Sequence, residues 1–242
     1  MKFWSNLTLK SKIIIIGSFI IATFGIVIFT YIIPSMETSI YNKKKEKIEN
    51  IVQTQIAIIG EIDTDAQKNN ISPTDAQTRA IATLRSVRYG DANDSYVWIN
   101  DLTPVMIMHP FVTELDGKDI SDYKDKTGKL MFKDMAEIGK TQGKGFYSYM
   151  WQKGADAKKI IPKLSFVQVY KPWNWLVGTG VYIEDVKDEI FSIKLNLVIA
   201  TIVLASLAWL LLYLFSLSIS KRITILQRSL EKAKMEILIA RL

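Results

Sequence analysis

The sequence predicts an α+β domain with an antiparallel sheet, held between two helices that span a membrane. Two uncharged apolar runs, at 13–33 and 195–220, are each long enough for a helix to cross the hydrocarbon core of a bilayer. Between them, a helical spacing of apolar residues over 35–89 gives way to a period of two over 95–182. The helices of the domain therefore come before its sheet.

The distribution of charge assigns the two sides of the membrane. Three lysines precede the first run, a net charge of +4 follows the second, and the segment 34–194 is neutral, with 22 basic and 22 acidic residues. Because positive flanks stay in the cytoplasm, we expect both termini inside and the middle segment outside. The first run exceeds a typical signal-peptide core and no small-x-small site follows it, which favours an uncleaved anchor over a signal peptide.

These two points give the expected organisation of a two-pass membrane protein. In chain order we expect a cytoplasmic N-terminus at 1–12, a first span at 13–33, an outer domain at 34–192, a second span at 195–220 and a cytoplasmic tail at 221–242.

Composition excludes several kinds of chemistry. The chain has no cysteine and one histidine, which argues against thiol catalysis, iron–sulfur clusters, haem and zinc sites. The neutral outer segment lacks the basic patch that nucleic-acid binding requires. The aspartates over 116–125 are spaced by three, unlike the EF-hand pattern, and no nucleophile–base–orienter set is visible. We expect no enzyme activity, no cofactor and no metal.

The helices of the outer domain come first. A long polar helix is expected over about 35–68, following a first span that ends at Pro34. Ser72 has the character of an N-cap, and Pro73 suits the first helical position. This second helix should run to about Tyr89 and stop at the glycine that follows it.

The period-two segments predict about five strands. They lie at 95–100, 104–109, 145–151, 160–170 and 175–182. A polar loop is expected over 112–129, and a short helix over 130–140. From Ile183 the pattern is helical again and continues into the second apolar run.

A family resemblance rests on three segments. They read RYGDANDSYVWINDLTPVMIMHP (88–110), GKGFYSYMW (143–151) and PKLSFVQVYKPWNWLVGTGVYIEDV (162–186). They resemble the single Cache domain, second subtype, of bacterial chemoreceptors and sensor kinases, closely over about 80–186 and loosely along the long first helix. The resemblance implies a PAS-like periplasmic sensor of small organic molecules, often short carboxylates.

Arg88 is the first candidate for ligand binding. It follows Leu84 by four residues, so it should emerge from the apolar stripe of the second helix and point toward the sheet. A buried arginine is costly without a partner. Either an aspartate such as Asp91 or Asp94 pairs with it, or a ligand carboxylate does so through two parallel hydrogen bonds.

The other candidates lie on the predicted strands. Aromatic residues share one face of each of two strands, and such stripes form either core or a pocket that offers hydroxyl donors. The sole histidine either closes a turn or serves as a pocket donor, and the resemblance favours the pocket. The lysine of "PKLS" is either a solvated strand end or, as the resemblance implies, close to the pocket. The predicted ligand-binding residues are Arg88, Tyr96, Trp98, His109, Tyr147, Tyr149 and Lys163.

The tail has the spacing of a coiled-coil seam. Apolar residues recur at alternating steps of three and four, which indicates either a surface helix or the start of a parallel dimeric coiled coil. They are Ile223, Leu226, Leu230, Ala233, Ile237 and Ala240. Because 22 residues follow the span, we expect the signalling output to reside in a lost or separate domain or in a partner protein.

Two functions remain open from the sequence. The first is a sensor in the bacterial inner membrane, whose periplasmic domain binds a small solute, expected to be a short-chain organic carboxylate, and transmits a helix shift for signal transduction or chemotaxis. The second is a dimeric, membrane-anchored interaction module with a vestigial pocket and no small-molecule ligand. An inward-facing cation favours the first, because a protein-binding remnant has no need for one.

Overall fold

The computed structural model describes residues 4, 7–90 and 93–239. Its contacts divide the chain into two units, Met1–Glu37 with Phe191–Leu242, and Thr38–Ile190. The helices are α1 (Leu9–Val27), α2 (Ile33–Lys68), α3 (Pro73–Arg85), α4 (Met131–Gln142) and α5 (Ile183–Ile239). The strands are β1 (Arg88–Tyr89), β2 (Ser95–Asp101), β3 (Met106–Met108), β4 (Lys144–Lys153), β5 (Asp156–Tyr170) and β6 (Trp175–Tyr182).

The first unit contains the two apolar runs. By length and composition, two helical stretches could cross a membrane, Leu9–Lys68 and Ile183–Met235, and their most apolar windows are almost wholly exposed. Within this unit the Ser216 hydroxyl donates a hydrogen bond to the carbonyl of Lys10. Gly17 lies against Leu212 so closely that a Cβ on the glycine would overlap the leucine side chain.

The first long helix continues through Pro34, where we expected the span to end. Ile28–Ile32 forms a π-helical turn, in which the N–H of Ile33 donates to the carbonyl of Ile28. Proline has no N–H, and its ring crowds the carbonyl four residues before it. The wider turn shifts the hydrogen-bond ladder by one residue, so the helix resumes and runs on to Lys68.

The second helix begins as predicted and ends four residues early. The Ser72 hydroxyl accepts a hydrogen bond from the backbone N–H of Asp75, and Pro73 is the first helical residue. The helix ends at Arg85, whereas the sequence predicted Tyr89. The reason is that Arg88 and Tyr89 pair with β2 as a short strand.

The sheet of the second unit is antiparallel, in the order β1-β2-β6-β5-β4, with β3 also pairing with β2. Helices cover both of its faces. On one face, α2 and α3 pack through residues such as Ile48, Val52 and Leu84. On the other, α4 and the segment 110–130, named here the covering loop, lie over Tyr96, Trp98 and other aromatic side chains. The predicted α+β architecture is confirmed, with a sixth, two-residue strand.

Candidate ligand-binding site

Lys163 lies at the centre of the sheet face under the covering loop. Strand β5 carries it between Tyr149 of β4 and Tyr182 of β6, its register partners on either side. The side chain is fully buried. Its ammonium nitrogen Nζ lies 3.9 Å from the ring centre of Tyr96, 5.1 Å from that of Tyr182 and 5.6 Å from that of Trp98. These rings form an aromatic box around the end of the lysine.

The Lys163 amine has no hydrogen-bond partner among the described residues. Burial lowers the pKa of Lys163 to about 7, and the negative charge of Asp94 opposes that shift only in part. Each ring contact contributes about 2 kcal/mol when a cation is desolvated, whereas removing an ammonium from water costs several kcal/mol. The box therefore holds a basic group that has no hydrogen-bond acceptor within reach among the described residues.

His109 is a neutral donor beside this amine. Its ring Nδ1 accepts backbone hydrogen bonds from Phe111 (3.2 Å) and Val112 (2.9 Å). The proton of the neutral ring therefore lies on Nε2, which is 3.2 Å from the hydroxyl oxygen of Tyr96. Burial, with the positive charges of Lys163, Arg85 and Arg88, holds the pKa of His109 well below its usual value. The ring can thus donate a hydrogen bond without bearing charge.

Two further donors complete the box. The Tyr149 hydroxyl is hydrogen bonded to that of Ser165 at 3.2 Å, and both side chains are buried. The indole Nε1 of Trp151 is buried without a hydrogen-bond acceptor among the described residues. The Trp151 ring lies 5.6 Å from that of His109, measured between centres. Unpaired buried donors are rare in folded proteins, so the indole N–H of Trp151 and the amine of Lys163 mark this face of the sheet as the candidate ligand-binding site.

Two glycines of β6 make room for the box. A Cβ on Gly178 would overlap the indole of Trp98, and one on Gly180 would lie 3.0 Å from Cε of Lys163. The alternation of a strand directs both positions to the same face as Tyr182. The absence of side chains there lets Trp98 and Lys163 lie flat against the sheet.

The covering loop is held in place by two buried or partly buried carboxylates. Asp116 accepts hydrogen bonds from the backbone N–H of His109 at 2.7 Å and from the guanidinium of Arg85 at 2.5 Å. Asp125 accepts from the backbone N–H of Met150 at 2.9 Å. Burial raises the pKa of Asp125, but its hydrogen bonds, first from the Thr127 hydroxyl, lower it to about 2. The covering loop is thus attached both to His109 and to strand β4.

The family model described as Cache domain matches residues 26–225. This chain belongs to the Cache-domain family. Methyl-accepting chemotaxis protein McpP of Pseudomonas putida is 37% identical over 150 residues, which are 62% of this chain and 27% of McpP. Sensor histidine kinase MctS of Rhizobium johnstonii is 32% identical over 152 residues, or 63% of this chain and 32% of MctS. The chain spans about a third or less of the length of these relatives.

Solved structures agree with the assignment to the Cache family. A periplasmic sensor domain of a chemotaxis protein superposes with a TM-score of 0.56 at 36% identity, over 59% of this chain and 97% of that one. A Cache chemosensory domain studied for carboxylic acid recognition gives 0.57 at 36% identity, over 60% and 97%. The domain is therefore of the sensor type found in chemotaxis receptors and sensor histidine kinases.

Five of the seven predicted site residues meet in this Cache domain. Tyr96, Trp98, His109, Tyr149 and Lys163 surround one point on the sheet face. Tyr147 shares their face of β4, but its hydroxyl donates to the carboxylate of Asp134 in α4.

Arg88 does not project from a helix, and that prediction is wrong because α3 ends at Arg85. Its guanidinium donates to the backbone carbonyls of Arg85 and Val87, at 2.8 Å each, and stacks on Phe111 at 4.6 Å from the ring centre. Of the aspartates proposed to pair with it, Asp91 lies outside the described residues and Asp94 is 3.8 Å from Lys153. A role for Arg88 in ligand binding stays a prediction.

Sequence reasoning missed Ser165, Tyr182 and the two glycines of β6 as parts of the Cache site. It placed Trp151 in the aromatic stripe of β4 but not among the ligand-binding residues. Ser165 follows Lys163 by two residues on the same strand, so the period of two could have indicated it. Tyr182 and Gly180 had no local signal, because they meet Lys163 only through the pairing of β5 with β6.

A cleft of about 400 Å³ lies beside the box. It is lined by residues of α2, β1 and the start of α5, among them Lys47, Tyr89 and Glu189. Tyr182 lines this cleft and also contacts Lys163, so its ring lies between the cleft and the amine. Among the residues that the structure describes, no group of three metal-ligating side chains is close enough to hold an ion.

Proposed function

We propose that this Cache domain is the ligand-binding part of a membrane sensor and that it binds a short-chain organic carboxylate at Lys163. The observation that carries the proposal is the fully buried amine of Lys163, without a hydrogen-bond partner among the described residues. A bound carboxylate would supply the missing negative charge. A vestigial pocket gives no reason to retain a buried base that costs stability.

The donors of the box suit a carboxylate. A carboxylate has two oxygens and about four positions that accept hydrogen bonds. Lys163 Nζ and the indole N–H of Trp151 could each donate to it. The Nε2–H of His109 could do so in exchange for its contact with the Tyr96 hydroxyl. The rings of Tyr96 and Trp98 would then contact the alkyl part of the ligand. Carboxylic acid recognition by the solved Cache relative supports this ligand class.

The amine that would bind the ligand is buried, which favours a short chain. Lys163 is fully buried under the covering loop, so the loop must open to admit a ligand. Tyr182 contacts the amine and is followed directly by Ile183, the first residue of α5. We propose that ligand binding shifts the start of α5 through Tyr182, by about 1–2 Å as at other switching interfaces.

The test is a thermal-shift and calorimetric survey of the full chain in nanodiscs. The ligands are straight-chain carboxylates from formate to hexanoate, with the matching alkylamines and alcohols as controls of equal size. A carboxylate at 100 times its dissociation constant should stabilise the protein by about 2.7 kcal/mol, and the amines should give no shift. Equal shifts by acids and alcohols, or no shift by any acid, would reject a carboxylate site.

We propose that the protein lies in the inner membrane with both termini in the cytoplasm, where it signals to an output domain or a partner protein. All of the net charge flanks the two apolar runs. We also propose that the tail pairs as a homodimer. In the single chain Ile223 is 37% exposed, and Leu226 and Leu230 are each 62% exposed. Of the predicted seam, Ala240 and the side chain of Ile237 lie outside the described residues.

Leu226→Asp should weaken dimerisation of the full chain in detergent. The change puts a charge into the predicted seam, where each apolar side chain packs between side chains of the second helix. Lys232→Asp is the matched control, because it introduces the same residue on the opposite, exposed side of the helix. Analytical ultracentrifugation should give a larger increase in the dimer dissociation constant for Leu226→Asp. Equal effects of the two changes would show that the tail is a surface helix.

A further inference from the structure

The aromatic box contains basic groups and almost no acidic ones. Lys163 faces Tyr96 and Trp98 of β2, Tyr149 of β4, Tyr182 of β6 and His109 at the end of β3. Among the described residues, the carboxylate whose charge acts on Lys163 is that of Asp94.

Asp94 is already engaged with another lysine. Lys153 lies 3.8 Å from Asp94 and 2.5 Å from Asp185. The positive charge of Lys153 therefore offsets the charge that Asp94 could lend to the box. Arg85 and Arg88 add positive charge on the side of His109. Without a ligand, a positive charge on Lys163 is thus disfavoured, because in the part of the chain that the structure describes no unpaired carboxylate faces the amine.

The neighbours of Lys163 hold their protons over the neutral range. Burial lowers the pKa of His109 well below its usual value, so its ring stays neutral. Burial also raises the pKa values of Tyr96, Tyr149 and Tyr182, so their hydroxyls stay protonated. Lys163, with a pKa of about 7, is then the group of the box that changes its charge between pH 6.5 and 9.

We propose, building on the carboxylate site described above, that above neutral pH Lys163 is an uncharged amine in the ligand-free domain and takes up one proton when the carboxylate binds. The bound anion supplies the partner that the buried ammonium lacks, so ligand and proton enter together. Above neutral pH the sensor then responds to the product of carboxylate and proton concentrations. In that pH range, the response depends on the pH as well as on the concentration of the carboxylate anion.

The direction of the pH dependence follows from linkage. A bound anion raises the pKa of Lys163 above its value in the empty site. Well below pH 7 the amine is already charged, so binding there takes up little or no proton and the affinity levels off. Above pH 7 the charged fraction falls tenfold per pH unit, and the apparent affinity falls with it. With a pKa of about 7, acetate should bind about 80-fold more weakly at pH 9 than at pH 6.5.

The experiment is calorimetry of acetate and propionate binding to the full chain in nanodiscs. At pH 8.5 the titrations are repeated in buffers with different enthalpies of ionisation, and the slope of heat against that enthalpy counts the protons taken up. Both ligands are fully ionised at this pH, so a slope of about one proton assigns the uptake to the protein. Lys144→Met, an exposed lysine of β4, is the matched control and should leave the slope unchanged.

A second variant isolates Lys163 itself. Lys163→Arg keeps a permanent charge, so where it binds acetate it should do so with no proton uptake and with the same affinity at pH 6.5 and 9. In the unmodified protein, binding of either acid with a slope near zero and a constant dissociation constant would overturn the proton-coupling proposal and leave the carboxylate site intact. No binding of either acid at pH 6.5 would reject both.

Discussion

Lys163→Met should strongly weaken carboxylate binding and stabilise the ligand-free domain. Methionine fills a similar volume and removes the buried amine, so the ligand loses its counter-charge. The loss of binding should be about 2–5 kcal/mol, as for other buried charge pairs that lose one partner. Calorimetry with propionate measures the first effect, and thermal unfolding of the empty protein measures the second.

The gain in stability should itself depend on pH. In the unfolded chain Lys163 has its ordinary pKa near 10.4, whereas in the folded domain its pKa is about 7. The unfolded state therefore binds more protons between these values, and the native protein loses stability as pH falls from about 10 to 7. The advantage of Lys163→Met should be largest at or below pH 7 and should shrink toward pH 10. A gain that does not vary with pH would contradict a depressed pKa for Lys163.

Arg88→Ala tests whether Arg88 or Lys163 is the cation that pairs with the ligand. The guanidinium of Arg88 donates to backbone carbonyls and stacks on Phe111, one ring away from Tyr96. We therefore expect a smaller loss of affinity than for Lys163→Met. If Arg88→Ala removes binding and Lys163→Met does not, Arg88 is the residue that pairs with the ligand.

Gly178→Ala should destabilise the domain strongly and weaken ligand binding. The added Cβ would overlap the indole of Trp98, which lies between neighbouring backbone and side chains and is fully buried. Overpacking of a well-packed core costs about 1–3 kcal/mol, and a displaced Trp98 would also disturb the box around Lys163. Thermal unfolding and the fluorescence of the tryptophans measure the two effects.

Gly60→Ala is the matched control for Gly178→Ala. Gly60 lies in α2, and the nearest atom to an added Cβ is in Tyr170 at an ordinary contact distance of 3.9 Å. Alanine is favoured over glycine in a helix by about 1 kcal/mol, so this variant should be as stable as the unmodified protein or more so. A Gly178→Ala protein with unchanged stability would mean that Trp98 has room that the structure does not show.

The strands were the most predictable part of the fold. β6 was expected over 175–182, where it is found, and β2 extends one residue beyond the predicted 95–100. Their alternation of side chains is a local signal that tertiary contacts reinforce. β1 was missed because two residues are too few to show a period. The apolar pattern that extended α3 to Tyr89 belongs partly to this strand.

The sequence predicted most of the residues of the site but did not show that Lys163 lies at its centre. The aromatic stripes of β2 and β4 follow from the period of two, so the rings could be assigned to one face. Which cation they surround depends on the pairing of β5 with β4 and β6, which brings Tyr149 and Tyr182 to Lys163. Arg88 was favoured because its helix was drawn too long. No local pattern could show that Lys163 is the amine with no partner among the described residues.

The π-helical turn at Ile28–Ile32 has a consequence for building chimeric proteins from this chain. One extra residue in a turn displaces every later residue by about 100° around the helix axis, relative to an uninterrupted α-helix. A helix face assigned from Leu9 by the spacing of an α-helix is therefore no longer the same face after Ile33. When this helix is joined to a helix of another protein, the residues after the turn keep their orientation around the axis only if helix positions are counted anew from Ile33.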